Sequence, residues 1–160
     1  MLSQGLQVDE AWLCGACAAQ VDGGMAPVHL AAERNDVEEL RRLLNENPGL
    51  IEAKGPRTPL YSACSTGSVD AARFLLDRGA GVNGRDDFGW TALLAACFQG
   101  WVEVVGLLLN RGADPSIRTD EEWTALAVTA WGNENPGSDH AAVIRLLIKD
   151  GRVAVDARDD

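Results

Sequence analysis

The chain has 160 residues, 46% of them apolar and 24% charged, which is typical of one folded domain and disfavours a disordered chain. Its formal net charge of −10 disfavours unaided binding to nucleic acid or to an anionic membrane, because both need a basic surface. No apolar run approaches the length of a membrane span, and no Lys or Arg precedes the first short apolar stretch, so we expect an intracellular protein, cytoplasmic or nuclear.

The first 24 residues are predicted to form one helix, over residues 9–21. Asp9 can cap its start and Gly23 can end it. Its apolar side is formed by Trp12, Leu13, Ala16 and Cys17.

Cys14 and Cys17 form a C-x-x-C pair, which could serve a metal or redox site. A zinc site needs a second pair of ligands at matching spacing, and the two histidines of the chain, His29 and His140, are far apart in sequence. A redox pair would be expected beside a βαβ unit, which the sequence does not predict. We therefore expect no metal and no cofactor, and keep a small metal-binding or redox protein using Cys14 and Cys17 as the least favoured alternative.

Residues 57–122 contain two consecutive copies of a 33-residue unit. When residues 57–89 are laid over residues 90–122, 13 of 33 positions are identical without a gap. A fixed period of this kind indicates stacked supersecondary units. The identities include Cys64 and Cys97, which we interpret as packing residues.

Each unit is predicted to be a helix, a tight turn, a second helix and a long loop. In the second copy Thr91 can cap the first helix and Gly100 can end it, and Gly112 can end the second helix. Helices of roughly eight to ten residues do not persist alone in water, so each must bury its apolar stripe against the next unit.

This unit resembles the ankyrin repeat. The opening of the family pattern appears as Thr-Pro-Leu-Tyr at residues 58–61 and in a related form at residues 26–32, and its second half appears at residues 107–114. The resemblance covers residues 25–160. It implies an all-α fold, an ankyrin-type α-solenoid of helix-turn-helix-loop repeats.

The resemblance also implies the internal boundaries of the chain. Residues 1–24 would be an N-terminal capping helix, and residues 156–160 would begin the loop of a further repeat. His29 would hydrogen-bond a neighbouring loop and take no part in catalysis. The repeats themselves are expected at about residues 25–56, 57–89, 90–122 and 123–156.

Two places depart from the repeat pattern. Aligning the last helix with that of the third repeat needs six extra residues, which composition places in a loop at residues 133–138. We interpret them as a tolerated surface insertion, with Ser138 or Asp139 capping the following helix. Glu122 stands where the second repeat has Gly89, so we expect the third loop to lack the usual left-handed turn.

Ankyrin-type stacks bind partners with the loop tips and inner helices that line a concave face. Carried onto this chain, the positions expected to bind a partner are Phe88, Trp90, Phe98, Gln99, Trp123 and Trp131. Aromatic residues are favoured anchors of protein interfaces. For Trp90 and Trp123 the alternative is that they only brace adjacent loops.

No phosphate loop, metal-binding His pair or Gly-x-Ser-x-Gly elbow occurs, so we expect no catalysis. The resemblance implies a monomeric protein-protein interaction module or scaffold. Its protein partner is expected to carry Lys or Arg among apolar residues, because the rim is acidic; we expect no nucleic acid and no membrane insertion. The alternative is a regulatory or targeting segment of a larger enzyme or channel.

The interpretation of Cys14 and Cys17 predicts that metal removal has no effect. A chelator should leave the helical circular dichroism signal and the melting temperature of the purified protein unchanged. Loss of structure on chelation, restored by zinc, would contradict this prediction.

Overall fold

The computed structural model describes residues 27–53, 57–132 and 134–152 of the chain. The predicted capping helix with Cys14 and Cys17, and the predicted further loop at residues 156–160, lie outside these ranges. Within them the chain forms eight α-helices and one short 3-10 helix. In chain order these are α1 Pro27–Glu33, α2 Val37–Glu46, the 3-10 helix Pro48–Glu52, α3 Pro59–Ser65, α4 Val69–Asp77, α5 Ala92–Gln99, α6 Val102–Asn110, α7 Ala125–Ala130 and α8 His140–Asp150.

The helices begin and end at residues suited to those positions. The hydroxyls of Thr58, Thr91 and Thr124 accept hydrogen bonds of 3.1, 3.2 and 3.1 Å from backbone N–H groups in the first turns of α3, α5 and α7. Caps of this type stabilise a protein by about 1 kcal/mol each. Gly100 ends α5 with a φ of 77°, and the carboxylate of Asp139 caps α8. The predicted caps at Thr91 and Asp139 are therefore confirmed, whereas Asp9 lies outside the described residues.

The helices form two layers, which confirms the predicted all-α solenoid. Helices α1, α3, α5 and α7 lie side by side as the inner layer, and α2, α4, α6 and α8 form the outer layer. Leucines fill the space between the layers, and those that are fully buried are Leu40, Leu44, Leu60, Leu75, Leu93, Leu94, Leu108 and Leu147. Cys64 and Cys97 are buried among them, as predicted. No helix in the described ranges is both long and apolar enough to cross a membrane.

One hydrogen bond recurs at each junction between repeats. Its donor is a side chain at the start of an outer helix, and its acceptor is a carbonyl at the end of the preceding repeat's inner helix. The three pairs are Ser68 Oγ to Glu33 O at 3.0 Å, Trp101 Nε1 to Ser65 O at 3.1 Å, and His140 Nε2 to Phe98 O at 3.0 Å. Carbonyls at a helix end lack an intrahelical partner, so each bond satisfies one of them and joins two repeats.

Loops are joined across the stack as well. His29 Nε2 donates to the backbone oxygen of Arg57 at 2.9 Å, which confirms the predicted link between neighbouring loops. Between the second and third loops, the backbone N–H of Asp120 donates to Phe88 O at 3.1 Å. The guanidinium of Arg85 forms an ion pair of 2.9 Å with the carboxylate of Asp120. The loops therefore stack in register with the helices.

The insertion in the fourth repeat packs on the third repeat. Asp139 N donates to Gly100 O at 2.9 Å, and the side-chain amide of Asn135 donates to Gln99 Oε1. His140 nevertheless occupies the same position in its repeat as Trp101 does in the third. The predicted surface insertion therefore also contacts the third repeat, through the hydrogen bond from Asn135 to Gln99.

The short helix Pro48–Glu52 was not expected from the sequence, which marks this stretch only as a helix break. Asn47 both ends α2 and starts the 3-10 helix, because its side-chain oxygen accepts from Gly49 N at 3.1 Å. Such side-chain caps compete with continuation of an α-helix.

The expectation for Glu122 is wrong, because the third loop keeps the left-handed turn. Glu122 has a φ of 68°, close to the 82° of Gly89 in the second loop. Thr119 enforces the turn: its hydroxyl accepts from the backbone N–H groups of Glu121 and Trp123, and its own N–H donates to Trp123 O. These hydrogen bonds outweigh the roughly 1–2 kcal/mol that a non-glycine residue loses in this conformation.

Replacing Leu108 with Ala should lower the melting temperature sharply, because Leu108 is fully buried between the layers. The expected loss in unfolding free energy is about 2–5 kcal/mol. Leu109→Ala, at the half-buried neighbouring position, is the matched control and should cost clearly less. Equal melting curves for the two variants would contradict the register of α6.

Glu122 and Gly89 should respond in opposite ways to substitution. Glu122→Gly should raise the unfolding free energy by up to about 1 kcal/mol, because it relieves the left-handed conformation. Gly89→Ala should lower it by more than about 1 kcal/mol, because the new Cβ would lie 2.7 Å from the backbone nitrogen of Asp120 as well as in a strained conformation. Chemical denaturation of both variants measures the two changes in unfolding free energy. Changes of the same sign would contradict this explanation of the turn.

Candidate functional site

The repeat register places the predicted site residues at equivalent positions in adjacent repeats. Trp90 and Trp123 each directly precede a capping threonine, Thr91 and Thr124. Phe98 lies at the end of α5, and Trp131 directly follows α7. The period of 33 residues therefore stacks one aromatic pair beside the other.

Four of these aromatic rings form one continuous series. Trp90 and Phe98 meet edge to face with ring centroids 5.9 Å apart, and Phe98 and Trp131 do so at the same distance. Trp131 then stacks on Trp123 at 5.1 Å with an interplanar angle of 17°. Both arrangements are favourable for aromatic pairs.

The series is anchored on one side and open on the other. Trp90, Phe98 and Trp123 are half-buried and pack against the core. In contrast, Trp131 is 63% exposed and Phe88 is 68% exposed, which are large values for aromatic side chains. The half-buried rings are therefore anchored in the core, while Trp131 and Phe88 offer an exposed aromatic surface beside them.

A groove of about 490 Å³ runs along this surface on the inner helices. Five of the six predicted residues line it, and the sixth, Trp123, stacks on the exposed Trp131 from the side. The groove is lined by Arg57, Tyr61, Ser65, Thr66, Asp86, Phe88, Trp90, Ala95, Phe98, Gln99 and Trp131.

Sequence analysis did not single out the polar end of this groove, formed by Tyr61 and Asp86. Asp86 Oδ1 accepts from the backbone N–H groups of Phe88 and Trp90, both at 2.9 Å, and so shapes the loop that carries these aromatics. Arg57 Nε lies 3.9 Å from Asp86 Oδ2, and the Arg57 guanidinium lies 5.0 Å from the centre of the Tyr61 ring. Burial raises the pKa of Tyr61 to about 12, which keeps the phenol neutral. Asp86 could have been found from its alignment with Thr119, which plays the same part in the third loop.

A second cleft, of about 320 Å³, opens between the second and third loops. Phe88 and Trp90 form one wall and thus belong to both cavities. The other side is formed by Thr119, Asp120 and Glu121. Glu121 is exposed, and its Oε2 accepts from the indole nitrogen of Trp123 at 3.1 Å.

The two described cysteines, Cys64 and Cys97, line neither cavity. Burial raises the pKa of the Cys97 thiol to about 12 and shifts that of Cys64 in the same direction. Neither thiol is therefore available as a thiolate nucleophile at neutral pH. Among the described residues no group of three or more His, Cys, Asp or Glu comes together as a metal site.

The geometry agrees with comparisons to known proteins. A family profile described as "Ankyrin repeats (3 copies)" matches residues 7–86 and residues 78–159. The serine/threonine-protein kinase VIK of Arabidopsis thaliana is 42% identical over 57 residues, which cover 34% of this chain and 13% of the kinase. A putative ankyrin repeat protein of Rickettsia bellii (strain RML369-C) is 37% identical over 59 residues, which cover 36% of this chain and 25% of that protein. The chain thus spans a quarter or less of the length of these two relatives.

Proposed function

The chain belongs to the ankyrin repeat family, and from this premise we propose that it is a non-catalytic module that binds a partner protein on its concave face. Ankyrin repeats are in general protein-protein interaction modules, and their scaffold residues do not name the partner. The proposal places the contact in the groove lined by Phe88, Trp90, Phe98, Gln99 and Trp131, with Trp123 supporting Trp131.

The continuous aromatic series is the observation that carries this proposal. Exposing Trp131 and Phe88 to water is unfavourable unless another surface covers them, and contiguous exposed apolar patches commonly mark interaction sites. The contacts of Phe98 with Trp90 and Trp131, and the stacking of Trp123 on Trp131, hold the Trp131 ring in place. A partner therefore loses little free energy in ordering the surface that it meets.

The partner that fits this surface is a segment with apolar residues and at least one Lys or Arg. The groove supplies aromatic contact area, while Asp87, Asp120, Glu121 and Glu122 place exposed carboxylates along the loop rim. The formal net charge of −10 also favours a partner segment that carries positive charge. Charges at the rim would mainly speed encounter, and the aromatic groove would hold the complex. We further propose that the protein acts as an intracellular monomer, cytoplasmic or nuclear.

A second proposal is that the repeats serve as a regulatory or targeting segment of a larger enzyme. The similarity to a 57-residue stretch of a plant serine/threonine-protein kinase favours it, since that stretch is part of a longer enzyme. The full-length transcript from the source organism would test this directly. A transcript that encodes no enzyme domain would contradict it.

Replacing Phe98 and Trp131 with Ala should leave the fold intact and weaken binding by at least about 2 kcal/mol, the level of an interface hot spot. The partner is first captured from the native extract and identified, and its Kd is then measured for wild type and variant by calorimetry. Phe74→Ala is the matched control, because Phe74 is a half-buried aromatic on the outer helix α4.

Circular dichroism melting of each variant separates a lost contact from a lost fold. Trp131→Ala alone serves where the double variant is unstable, since Trp131 is mostly exposed. If a folded variant binds the partner at full strength, the interface lies elsewhere. If Phe74→Ala weakens binding equally, the outer face is involved instead.

A further inference from the structure

The cleft between the second and third loops adjoins the groove but differs from it in chemistry. Phe88 and Trp90 line both cavities, so a segment lying in the groove can place a side chain in the cleft without leaving the aromatic surface. The one carboxylate of the groove, Asp86, is already paired with Arg57, whereas the cleft faces two further carboxylates, Asp120 and Glu121. The two cavities should therefore select different side chains.

The two carboxylates of the cleft are not equivalent. Asp120 is already paired with Arg85 at 2.9 Å. Glu121 is in contact with a neutral donor, the Trp123 indole, at 3.1 Å, and no ion pair joins it to a cation within the described ranges. Its neighbour Glu122 is paired with Arg118 at 3.4 Å. One negative charge at the mouth of the cleft thus has no cationic partner among the described residues.

The same protein already holds a cation between an aromatic ring and a carboxylate. In the groove, the Arg57 guanidinium lies 5.0 Å from the centre of the Tyr61 ring, and its Nε lies 3.9 Å from Asp86 Oδ2. The cleft offers the same two elements, the rings of Phe88 and Trp90 and the carboxylate of Glu121. Its lining residues include no Lys or Arg, and the nearby Arg85 is paired with Asp120. Aromatic faces attract cations, and a carboxylate beside them adds an ion pair.

We propose that this cleft receives the side chain of a Lys or Arg of the segment bound in the groove, held against the wall formed by Phe88 and Trp90 and paired with Glu121. This inference rests on the proposed function and specifies which part of the surface recognises charge. An acidic side chain would be repelled there, and a short apolar one would leave Glu121 without a cationic partner. The cleft thus sets which residue of the segment must be basic, while the groove sets which must be apolar.

A double-mutant cycle on selected peptides tests the inference. Random linear peptides are selected by display on the wild-type protein, and the best binders are synthesised. Each basic residue in them is then replaced by an uncharged isostere, citrulline for Arg or acetyl-lysine for Lys. Affinities are measured against wild type, Glu121→Gln, and Glu103→Gln, which removes the same charge from the exposed surface of the outer helix α6.

We expect the selected peptides to contain Lys or Arg at a fixed distance from their apolar residues. Neutralising that residue should weaken binding to wild type and to Glu103→Gln by about fivefold or more, but to Glu121→Gln by about twofold or less. Equal losses in all three proteins, or selected peptides without Lys or Arg, would overturn the inference.

Trp131→Ala distinguishes this failure from failure of the proposed groove. Peptides that need Trp131 but show no coupling to Glu121 would overturn the cleft and uphold the groove. Peptides coupled to Glu121 but bound fully by Trp131→Ala would uphold the cleft and overturn the groove. Failure to select any peptide would overturn both.

Discussion

The short helices of this chain are stable only because each pair buries its apolar stripe against the next pair. A helix of six to eleven residues is marginally stable alone in water. These helices are stabilised by leucines such as Leu75 and Leu108, which are buried between repeats. The recurring bonds from Ser68, Trp101 and His140 to helix-end carbonyls serve the same requirement, because they fix each repeat on the one before it. The 33-residue period and the buried leucine core both follow from the need of each repeat to stack on the next.

Stacking also explains why the half-buried rings of the proposed binding surface are held in place. The inner helices use one face for the core, so their ends and the adjoining loops are free to vary, and in this chain they carry aromatics. Trp90 and Phe98 are held by the core on one side and by each other on the other. Rings that are already ordered lose little conformational freedom when a partner covers them, so most of their contact area can contribute to affinity.

The repeating part of this fold could be predicted from the sequence, because the same residue types recur at equivalent positions in two consecutive units and so support the same assignment independently. The threonine caps, the buried cysteines and the order of helices followed from residues that recur every 33 positions. What could not be predicted depends on a single copy. Glu122 adopts a left-handed conformation because Thr119 holds the turn, and no propensity of Glu itself indicates this.

The same limit applies to the candidate site. Five of the six predicted residues line the groove because position in the repeat alone decides which side they face. Tyr61 and Asp86 were missed because their roles come from contacts that a pattern of residue types does not show. Arg57 lies beside both, and Asp86 accepts from backbone N–H groups of the loop that carries Phe88 and Trp90. Periodicity locates the surface, and it aligns Asp86 with Thr119, but the part that both play in shaping their loops becomes visible only in the hydrogen bonds.

The insertion at residues 133–138 indicates how such a stack tolerates a change in length. Six extra residues could have shifted α8 by more than one turn, but His140 still donates to Phe98 O, as Trp101 donates to Ser65 O one repeat earlier. The register of an outer helix is therefore set by its own first residues and by burial of Val143 and Leu147, and the length of the preceding turn does not set it. Because register is protected in this way, the loop is free to take on other contacts. Asn135 contacts Gln99, a groove residue, so the inserted loop reaches the edge of the proposed binding surface while leaving the stack beneath it unchanged.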